Sequence, residues 1–532
     1  MASEKNQAIF KSWATDWLIL LAIFLFLLPI ASVLGIYLAG TNSAATYYGI
    51  DSTDVRYSVV VFYLAIASAF PLEKSFFNYF SSKSYLIGAS IVFVCINLIL
   101  YFTNSFAVLL ILRFVGGALS LSFIGISFSL IFRQFHAQRS RVLGYATLYS
   151  CLFVTAPLAQ ILDANVFTHY DFNTIFLIKI YMVLPGLLLF LFLLKSNVDL
   201  RPEGKLPFKG VDWQSFVIYS AALLLIGYIL LYGQYYHWFK SLKITFCMIA
   251  FIFLLLVFVL RQLKLKTPYI SLKIFKVRNF RIGMVLLFVF YLAKGDTSVL
   301  YGFFRNSVQL DAYHQGYVML LNGFGIVLGA FLSARFILAG RKIRLIWLTG
   351  FGSLLLYHLL SLNVLGNQAE MSTLLLPLFL QGFGNGVLIV SIVIFYVTSV
   401  ASEIGFSASV TGVAFRFFSF TASMALVAFM GLHQQKIHQQ SFAANITADN
   451  PVAMQEISKY SNALQQEGKL VASNKAAKAL LNKEVGKQAN LMFARDYFIY
   501  MSIFIGLVML AIAVIPHFHY KIRKIGAKLI PV

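Results

Sequence analysis

Apolar runs of about 20 residues recur along almost the whole chain, and they constrain its fold more than any other feature. As an α-helix, each run is long enough to cross a hydrocarbon layer roughly 30 Å thick. Lipid offers the backbone no hydrogen-bond partners, so only helices and closed barrels can span it. The runs are continuously apolar rather than alternating, and 60% of the 532 residues are hydrophobic while 11% are charged. The sequence therefore predicts an all-α integral membrane protein.

These runs divide into fourteen predicted transmembrane helices, which we call spans 1 to 14 in chain order. Since their number is even, both chain ends are expected on the same side of the membrane. Their expected extents are 16–39, 57–79, 84–103, 106–131, 142–166, 173–195, 212–232, 243–261, 280–304, 315–339, 343–362, 372–398, 408–431 and 497–518.

The distribution of basic residues predicts which side holds the termini. The formal net charge is +23, but Lys and Arg lie mostly in short loops between spans, which argues against a nucleic-acid-binding surface. Cytoplasmic loops are enriched in Lys and Arg. Because basic and nearly uncharged loops alternate along the chain, both termini are expected in the cytoplasm. The loops assigned to that side carry Arg133, Arg139, Arg141, Arg201, Lys205, Lys209, Lys264, Lys273, Arg278, Arg341, Lys342 and Arg344.

A polar insertion at 432–495 separates spans 13 and 14 on the opposite, outer face. It is rich in Gln, Ala, Asn and Lys. Between 451 and 493, apolar residues such as Ile457, Leu464 and Leu480 recur at helical spacing, which predicts two amphipathic helices. We expect this insertion either to dock a partner protein or to cap the outer vestibule.

An internal repeat indicates two related halves. Span 4 contains 109-LLILRFVGGALS-120 and span 12 contains 378-LFLQGFGNGVLI-389, each with one polar residue followed by aromatic and small residues. An offset of eight spans fits two six-helix halves separated by two linker helices, and such repeats are a hallmark of secondary transporters. We therefore expect an N-terminal half at 1–200, a linker region at 201–265 and a C-terminal half at 266–532.

The chain resembles a known transporter family over essentially its whole length. Span 4 is similar to the signature of major facilitator drug–proton antiporters at Leu109, Arg113 and Gly117. The stretch 268-PYISLKIFKVRNFRIG-283 resembles the segment before span 9 in EmrB/QacA-type exporters, most closely the EmrB-like branch. The resemblance implies a major facilitator fold and proton-coupled export of amphipathic compounds across an inner membrane. It also implies a periplasmic adaptor docking at 432–495, and a proton gradient in place of any cofactor.

Three features depart from that family pattern. The loop 71-PLEKSFFNYFSSKSYLIG-88 lacks the usual Gly, Asp and Arg residues between spans 2 and 3. Span 1 has only Asp16, at its cytoplasmic edge, where the family commonly carries an embedded acid. Span 5 keeps Pro157 of the antiporter signature but has Ala156, Gln160 and Ile161 in place of its glycines. The altered loop between spans 2 and 3 and the reduced span-5 signature keep a second hypothesis open, a non-transporting scaffold or sensor on a transporter fold.

Two charged residues two positions apart in span 9 are candidates for proton coupling. A charge at the bilayer centre costs about 2.5–3.5 kcal/mol on insertion scales, so each needs a partner or a water-filled cavity. Lys294 and Asp296 lie about 200° apart around a helix, so they require separate partners unless the helix breaks at Gly295. With no acid embedded in span 1, Asp296 is the leading candidate for the proton site and Lys294 its tuner.

Two arginines extend this candidate charge network. Arg113 in span 4 is expected to face the cavity as a coupling or helix-bridging residue, and Arg416 in span 13 is expected to reach Asp296 or Asn322. The alternative for every one of these charges is a purely structural role in helix packing. Lys179 of span 6 is expected to extend to the outer interface instead.

Seven further residues are candidates to line a substrate cavity, since tyrosines and amides suit an amphipathic molecule. The sequence contains no Walker A motif and no catalytic or metal-binding motif, and its three cysteines lie in apolar runs. It therefore points away from an enzyme and from ATP-driven transport. The cavity candidates are Tyr63, Gln160, Tyr291, Tyr301, Asn322, Gln381 and Asn385.

Overall fold

The structure, a computed structural model, describes residues 9–32, 40–74, 82–134, 137–196, 211–306, 308–366, 369–447, 449–466 and 473–515. Over these ranges 13 helices are long and apolar enough to cross a membrane. A shorter apolar helix at Asp16–Ile30 begins where span 1 was predicted to begin, and residues 33–39 of that span lie outside the described ranges. The prediction of an all-helical, multi-pass membrane protein is confirmed.

The first nine helices lie within the ranges predicted for the N-terminal half and the linker region. Ser82 and Asp212 show how polar side chains start these helices, because each accepts a hydrogen bond from the backbone N–H three residues later, at 3.2 Å and 3.1 Å. The helices are α1 (Asp16–Ser32), α2 (Thr41–Tyr48), α3 (Ser52–Ala69), α4 (Lys83–Phe102), α5 (Phe106–Gln134), α6 (Ala137–His169), α7 (Thr174–Leu193), α8 (Trp213–Tyr232) and α9 (Leu242–Lys264).

The remaining helices lie within the range predicted for the C-terminal half, which includes the insertion at 432–495. They are α10 (Arg278–Ala293), α11 (Thr297–Asn306), α12 (Ala312–Leu338), α13 (Ile343–Val364), α14 (Met371–Thr398), α15 (Ser402–Ala444), α16 (Pro451–Gln466) and α17 (Ser473–Val514). Predicted span 9 is therefore two helices, α10 and α11, joined by a turn at residues 294–296. This is the break at Gly295 that the sequence left open.

Helices α12 and α14 pack along a seam of four glycines, two on each helix. A Cβ atom at any of them would lie 2.0–2.4 Å from a backbone carbonyl oxygen of the facing helix. Small residues at spacing i, i+4 let membrane helices approach this closely. The repeat segment of span 12 thus packs α14 closely against α12 and also contains Gln381. The seam consists of Gly325, Gly329, Gly382 and Gly386.

The two halves meet along α6–α12 and α3–α15. Tyr63 of α3 stacks on Phe417 of α15 with ring centroids 4.9 Å apart. Where α3 ends and α15 begins, the segment before α10 joins both halves, since the Tyr269 hydroxyl donates to the Ser68 carbonyl at 2.6 Å. The family-like stretch 268–283 therefore lies at the contact between the halves.

The outer insertion is built mainly from extensions of the last two spanning helices, which corrects one prediction. Helix α15 continues without interruption for 43 residues, past the predicted end of span 13 at 431. Helix α16 is separate, as predicted, but the second expected amphipathic helix is the first part of the 42-residue α17. Gln435 Nε2 of α15 donates to Asn490 Oδ1 of α17 at 2.6 Å, which ties the two extensions together.

Candidate functional site

A fully buried carboxylate lies at the break between α10 and α11. Asp296 has no solvent exposure, and its Oδ2 accepts hydrogen bonds from the Tyr357 hydroxyl of α13 and from Gln381 Nε2 of α14, the latter at 2.6 Å. Asn322 of α12 in turn donates to Gln381 Oε1 at 2.8 Å. Among the described residues, no hydrogen-bond partner reaches Asp296 Oδ1. One carboxylate thus connects four helices of the C-terminal half.

The break itself explains why an acid is tolerated there. The Leu300 N–H bonds to the Asp296 carbonyl at 2.9 Å, so Asp296 opens helix α11. A helix N-terminus carries partial positive charge and favours a negative side chain. The turn also brings Gly295 against α15, where an added Cβ would lie 2.0 Å from Ser423 Oγ. The local sequence therefore combines a helix start with a close approach that suits glycine.

Lys294 faces a different neighbour, as its spacing from Asp296 predicted. Its Nζ lies 3.7 Å from the ring centroid of Phe153 on α6 and 5.9 Å from that of Tyr291. No carboxylate of a described residue lies within the 4.0 Å ion-pair distance of this ammonium group. The two charges of the turn point to opposite sides: Asp296 into the C-terminal half, Lys294 towards the N-terminal half.

Arg416 of α15 lies beside α6, the same helix that Lys294 contacts. The expectation that Arg416 reaches Asp296 or Asn322 is therefore corrected. Its Cζ lies 5.5 Å from the ring centroid of Tyr149 and 4.6 Å from that of Phe417. The physical reason is that aromatic faces attract guanidinium groups and occupy this side of α15. Asp296 and Asn322 instead use neutral hydrogen-bond partners.

The two remaining intramembrane cations lie within the N-terminal half. Arg113 is buried, donates from Nε to the Ser58 carbonyl at 3.3 Å and lies over the Phe62 ring, so it joins α5 to α3. Lys179 was expected to extend to the outer interface, and that expectation is wrong. It is 1% exposed, with Nζ 4.8 Å from the Phe176 ring centroid.

The predicted cavity residues divide among three places. Asn322 and Gln381 belong to the hydrogen-bond chain of Asp296, and Asn385, one turn beyond Gln381, is buried with no hydrogen-bond partner for Oδ1 among the described residues. Tyr63 and Tyr291 lie near Arg416 at the contact between the halves. The last two candidates, Gln160 on α6 and Tyr301 on α11, are half-buried.

Sequence reasoning missed the aromatic partners of these charges. Tyr357 and His358 form a polar pair inside the apolar span 11, a signal comparable to the charges that were noticed. His358 is fully buried, and its Nδ1 donates to the Leu354 carbonyl at 2.7 Å. Tyr149 and Phe153 carry no such signal, because aromatic residues are 16% of the chain.

Comparisons with known proteins cover most of the chain or all of it. No family model matches the sequence. The "Probable multidrug resistance protein EmrY" of Escherichia coli (strain K12) is 23% identical over 457 residues, which cover 85% of this chain and 86% of that protein. A POT family transporter crystallised with 5-aminolevulinic acid has a TM-score of 0.56 at 15% identity, covering 94% of this chain and 96% of its own.

Two further solved transporters share the architecture. A peptide transporter POT in complex with sulfate aligns over 100% of both chains, with a TM-score of 0.54 at 13% identity. A bacterial homolog of the human lysosomal transporter Spinster has a TM-score of 0.51 at 12% identity and covers 95% of this chain and 98% of its own. At these identities the structural likeness concerns the fold.

Proposed function

We propose that the chain is a secondary transporter of the major facilitator superfamily and that it exports amphipathic compounds in exchange for protons. The proposed location is an inner membrane, with both termini in the cytoplasm. The weak similarity to a probable multidrug resistance protein and the resemblance of stretch 268–283 to EmrB-like exporters support the direction of transport.

The complete burial of the Asp296 carboxylate is the observation that supports this proposal most directly. A fully buried acid at mid-span costs free energy when it is ionised, and an ionisable residue inside the membrane is therefore a candidate functional site. Ionised Asp296 attracts two hydrogen-bond donors, Tyr357 and Gln381, whereas the neutral acid holds them less strongly. Proton binding and release would therefore change how tightly the break is held against α13 and α14.

Proton movement supplies the driving force in this proposal. One charge moved through 100 mV provides about 2.3 kcal/mol. The turn at 294–296 is placed to transmit the change, because it joins α10, whose Lys294 contacts the N-terminal half, to α11. Arg113, Lys294 and Arg416 are proposed to complete the charge network around the transport path.

The experiment compares Asp296→Asn with wild type in proteoliposomes. Asparagine keeps an acceptor oxygen for Tyr357 and Gln381 but does not titrate, so the fold is expected to persist. We expect pH-gradient-driven uptake of lipophilic dyes into these proteoliposomes to fall at least tenfold, with thermal stability near that of wild type. Asp449→Asn, at an exposed outer position, is the matched control and is expected to transport normally.

Two outcomes would contradict the proposal. If Asp296→Asn transports like wild type under the same pH gradient, Asp296 is not the coupling site. If wild-type protein moves no compound in a broad panel of dyes and metabolites, the scaffold or sensor hypothesis takes over.

We further propose that the outer insertion at 432–495 docks a periplasmic adaptor. Helix α16 packs on α17 through buried Ala453 and Ile457, while Val452 on its other face is 67% exposed. A photo-crosslinking amino acid at position 452 in native membranes is expected to capture one adaptor protein. Capture of no protein from cells that express an adaptor would favour a cap over the outer vestibule instead.

A further inference from the structure

The cations Lys294 and Arg416 converge on one aromatic ridge of α6. Lys294 lies over Phe153 and Arg416 over Tyr149, two residues that are four positions apart and therefore one helical turn of about 5.4 Å. The two rings are themselves in contact, with centroids 6.4 Å apart. Since Lys294 belongs to the helix break and Arg416 to α15, both cations approach from the C-terminal half.

Neither of these two positive charges forms an ion pair within the described residues, since no carboxylate lies within 4.0 Å of either group. Asp296 attracts Lys294 only from a longer distance. The carboxylate beside Lys294 in sequence, Asp296, is held by Tyr357 and Gln381 on the other side of the break. Cation–π contacts contribute about 0.5–2 kcal/mol each, less than the several kcal/mol that desolvating a charge costs. Like charges placed near one another add a repulsive contribution.

Both cations remain partly accessible to solvent. Lys294 and Arg416 keep intermediate exposure although each lies at the middle of its span, as does Gln160, two turns beyond Phe153 on α6. The walls around them are aromatic, with Tyr63, Tyr291 and Phe417 in addition to the α6 ridge. This environment suits a flat apolar body that carries one negative group.

We propose that this cation–aromatic cluster, formed by Lys294, Arg416, Tyr149 and Phe153, binds an amphipathic organic anion with a planar aromatic body. The proposal rests on the proposed transport function and names its substrate class. The anionic group, a carboxylate or sulfonate, lies between Lys294 and Arg416 and supplies the missing counter-charge. The aromatic body packs against the aromatic side chains that surround the two cations. Binding would thereby draw the two halves together across α6, α10 and α15.

The test measures binding rather than transport, so it separates this proposal from the exporter function. Purified protein in phosphatidylcholine nanodiscs is titrated calorimetrically with 2-naphthoate, with the neutral 2-naphthamide and with the cationic 2-(aminomethyl)naphthalene. The three probes share one ring and differ in charge. We expect naphthoate to bind at least tenfold more tightly than the amide, and the cation to bind least.

Paired variants test the two side chains. Lys294→Met and Arg416→Gln are each expected to reduce naphthoate affinity about tenfold, to the level of the amide, while amide binding stays unchanged. Lys294→Arg and Arg416→Lys keep the charge and are expected to retain most of the affinity. Lys342→Gln, in an exposed loop, is the control for general loss of positive charge.

Three results would overturn the proposal. Equal affinity for naphthoate and naphthamide, or preference for the cationic probe, would show that the cluster does not select anions. Unchanged naphthoate affinity in both Lys294→Met and Arg416→Gln would place the anion elsewhere. Loss of naphthoate binding when phosphatidylglycerol is added to the nanodiscs would identify a lipid headgroup, rather than a free anion, as the occupant.

Discussion

The glycine seam between α12 and α14 gives the sharpest prediction, for Gly382→Ala. The added Cβ would lie 2.0 Å from the Asn322 carbonyl oxygen, whereas ordinary contact begins at 3.4 Å. The oxygen belongs to the backbone and cannot rotate away, so the helices must separate by about 1.4 Å at this point. Asn322 also donates to Gln381 at 2.8 Å. The same separation would therefore stretch that hydrogen bond beyond its useful length.

The expected cost combines two contributions. Overpacking a well-packed interface costs about 1–3 kcal/mol. Interhelical polar contacts inside membranes average about 0.6 kcal/mol in double-mutant cycles, with a maximum of about 1.7. We therefore expect Gly382→Ala to lower the free energy of unfolding by about 2–4 kcal/mol. The hydrogen-bond chain of Asp296 would weaken at the same time.

Trp347 provides the assay, because it is fully buried on α13, which packs against α14. In a chain whose other four tryptophans are replaced by phenylalanine, its fluorescence during thermal unfolding in detergent reports on α13 and its contact with α14. Gly506→Ala is the matched control, since a Cβ there meets no atom within 4 Å and alanine is the better helix former. We expect a clearly lower melting temperature for Gly382→Ala and an equal or higher one for Gly506→Ala. Identical melting curves for the two variants would refute the close approach of these helices.

Three further predictions concern other contacts. Gly295→Ala is expected to reduce transport because its Cβ would meet Ser423 Oγ, and Ser423→Ala in the same chain should restore it; no rescue would mean that the contact is not the cause. Gln435→Ala and Asn490→Ala should show a coupling of about 0.5–3 kcal/mol in a double-mutant cycle of unfolding, and strict additivity would contradict their hydrogen bond. Burial raises the pKa of Asp212, but hydrogen bonds from Ser215 and Arg261 lower it by more, so the net pKa is below its usual value. The ionised Asp212 carboxylate therefore stabilises the fold at neutral pH, and this contribution is lost in acid. Asp212→Asn should therefore lower stability at pH 7 by at most about 1 kcal/mol, and a larger loss at acid than at neutral pH would contradict this assignment.

Hydrophobic runs predicted the spanning helices well, because in lipid the backbone has few alternatives to a helix. The break in span 9 was also accessible from sequence, since two charges about 200° apart flank a glycine. The length of α15 could not be predicted from the sequence, because its polar extension has no apolar pattern that distinguishes a continued helix from a loop.

The partners of the embedded charges could not be predicted. Tyr357 and Gln381 lie 61 and 85 positions from Asp296, and which helices meet at mid-membrane depends on the three-dimensional packing. The error at Lys179 has a similar cause, since its depth depends on how α7 packs against its neighbours. Local spacing shows that a charge needs a partner, but the fold decides which residue provides it.

Helix α15 runs unbroken from the contact between the halves to the outer insertion, and this continuity has a mechanical consequence. At 1.5 Å per residue its 43 residues extend about 65 Å, roughly twice the 30 Å thickness of the hydrocarbon layer. A rigid rod of this kind magnifies rotation: a tilt of about 10° at mid-membrane displaces a point 35 Å away by about 6 Å. Rocking of the C-terminal half against Tyr63 would therefore become a movement of several ångströms at Ala444. A fluorophore pair bridging α16 and a fixed outer loop would read out the transport cycle from outside the membrane.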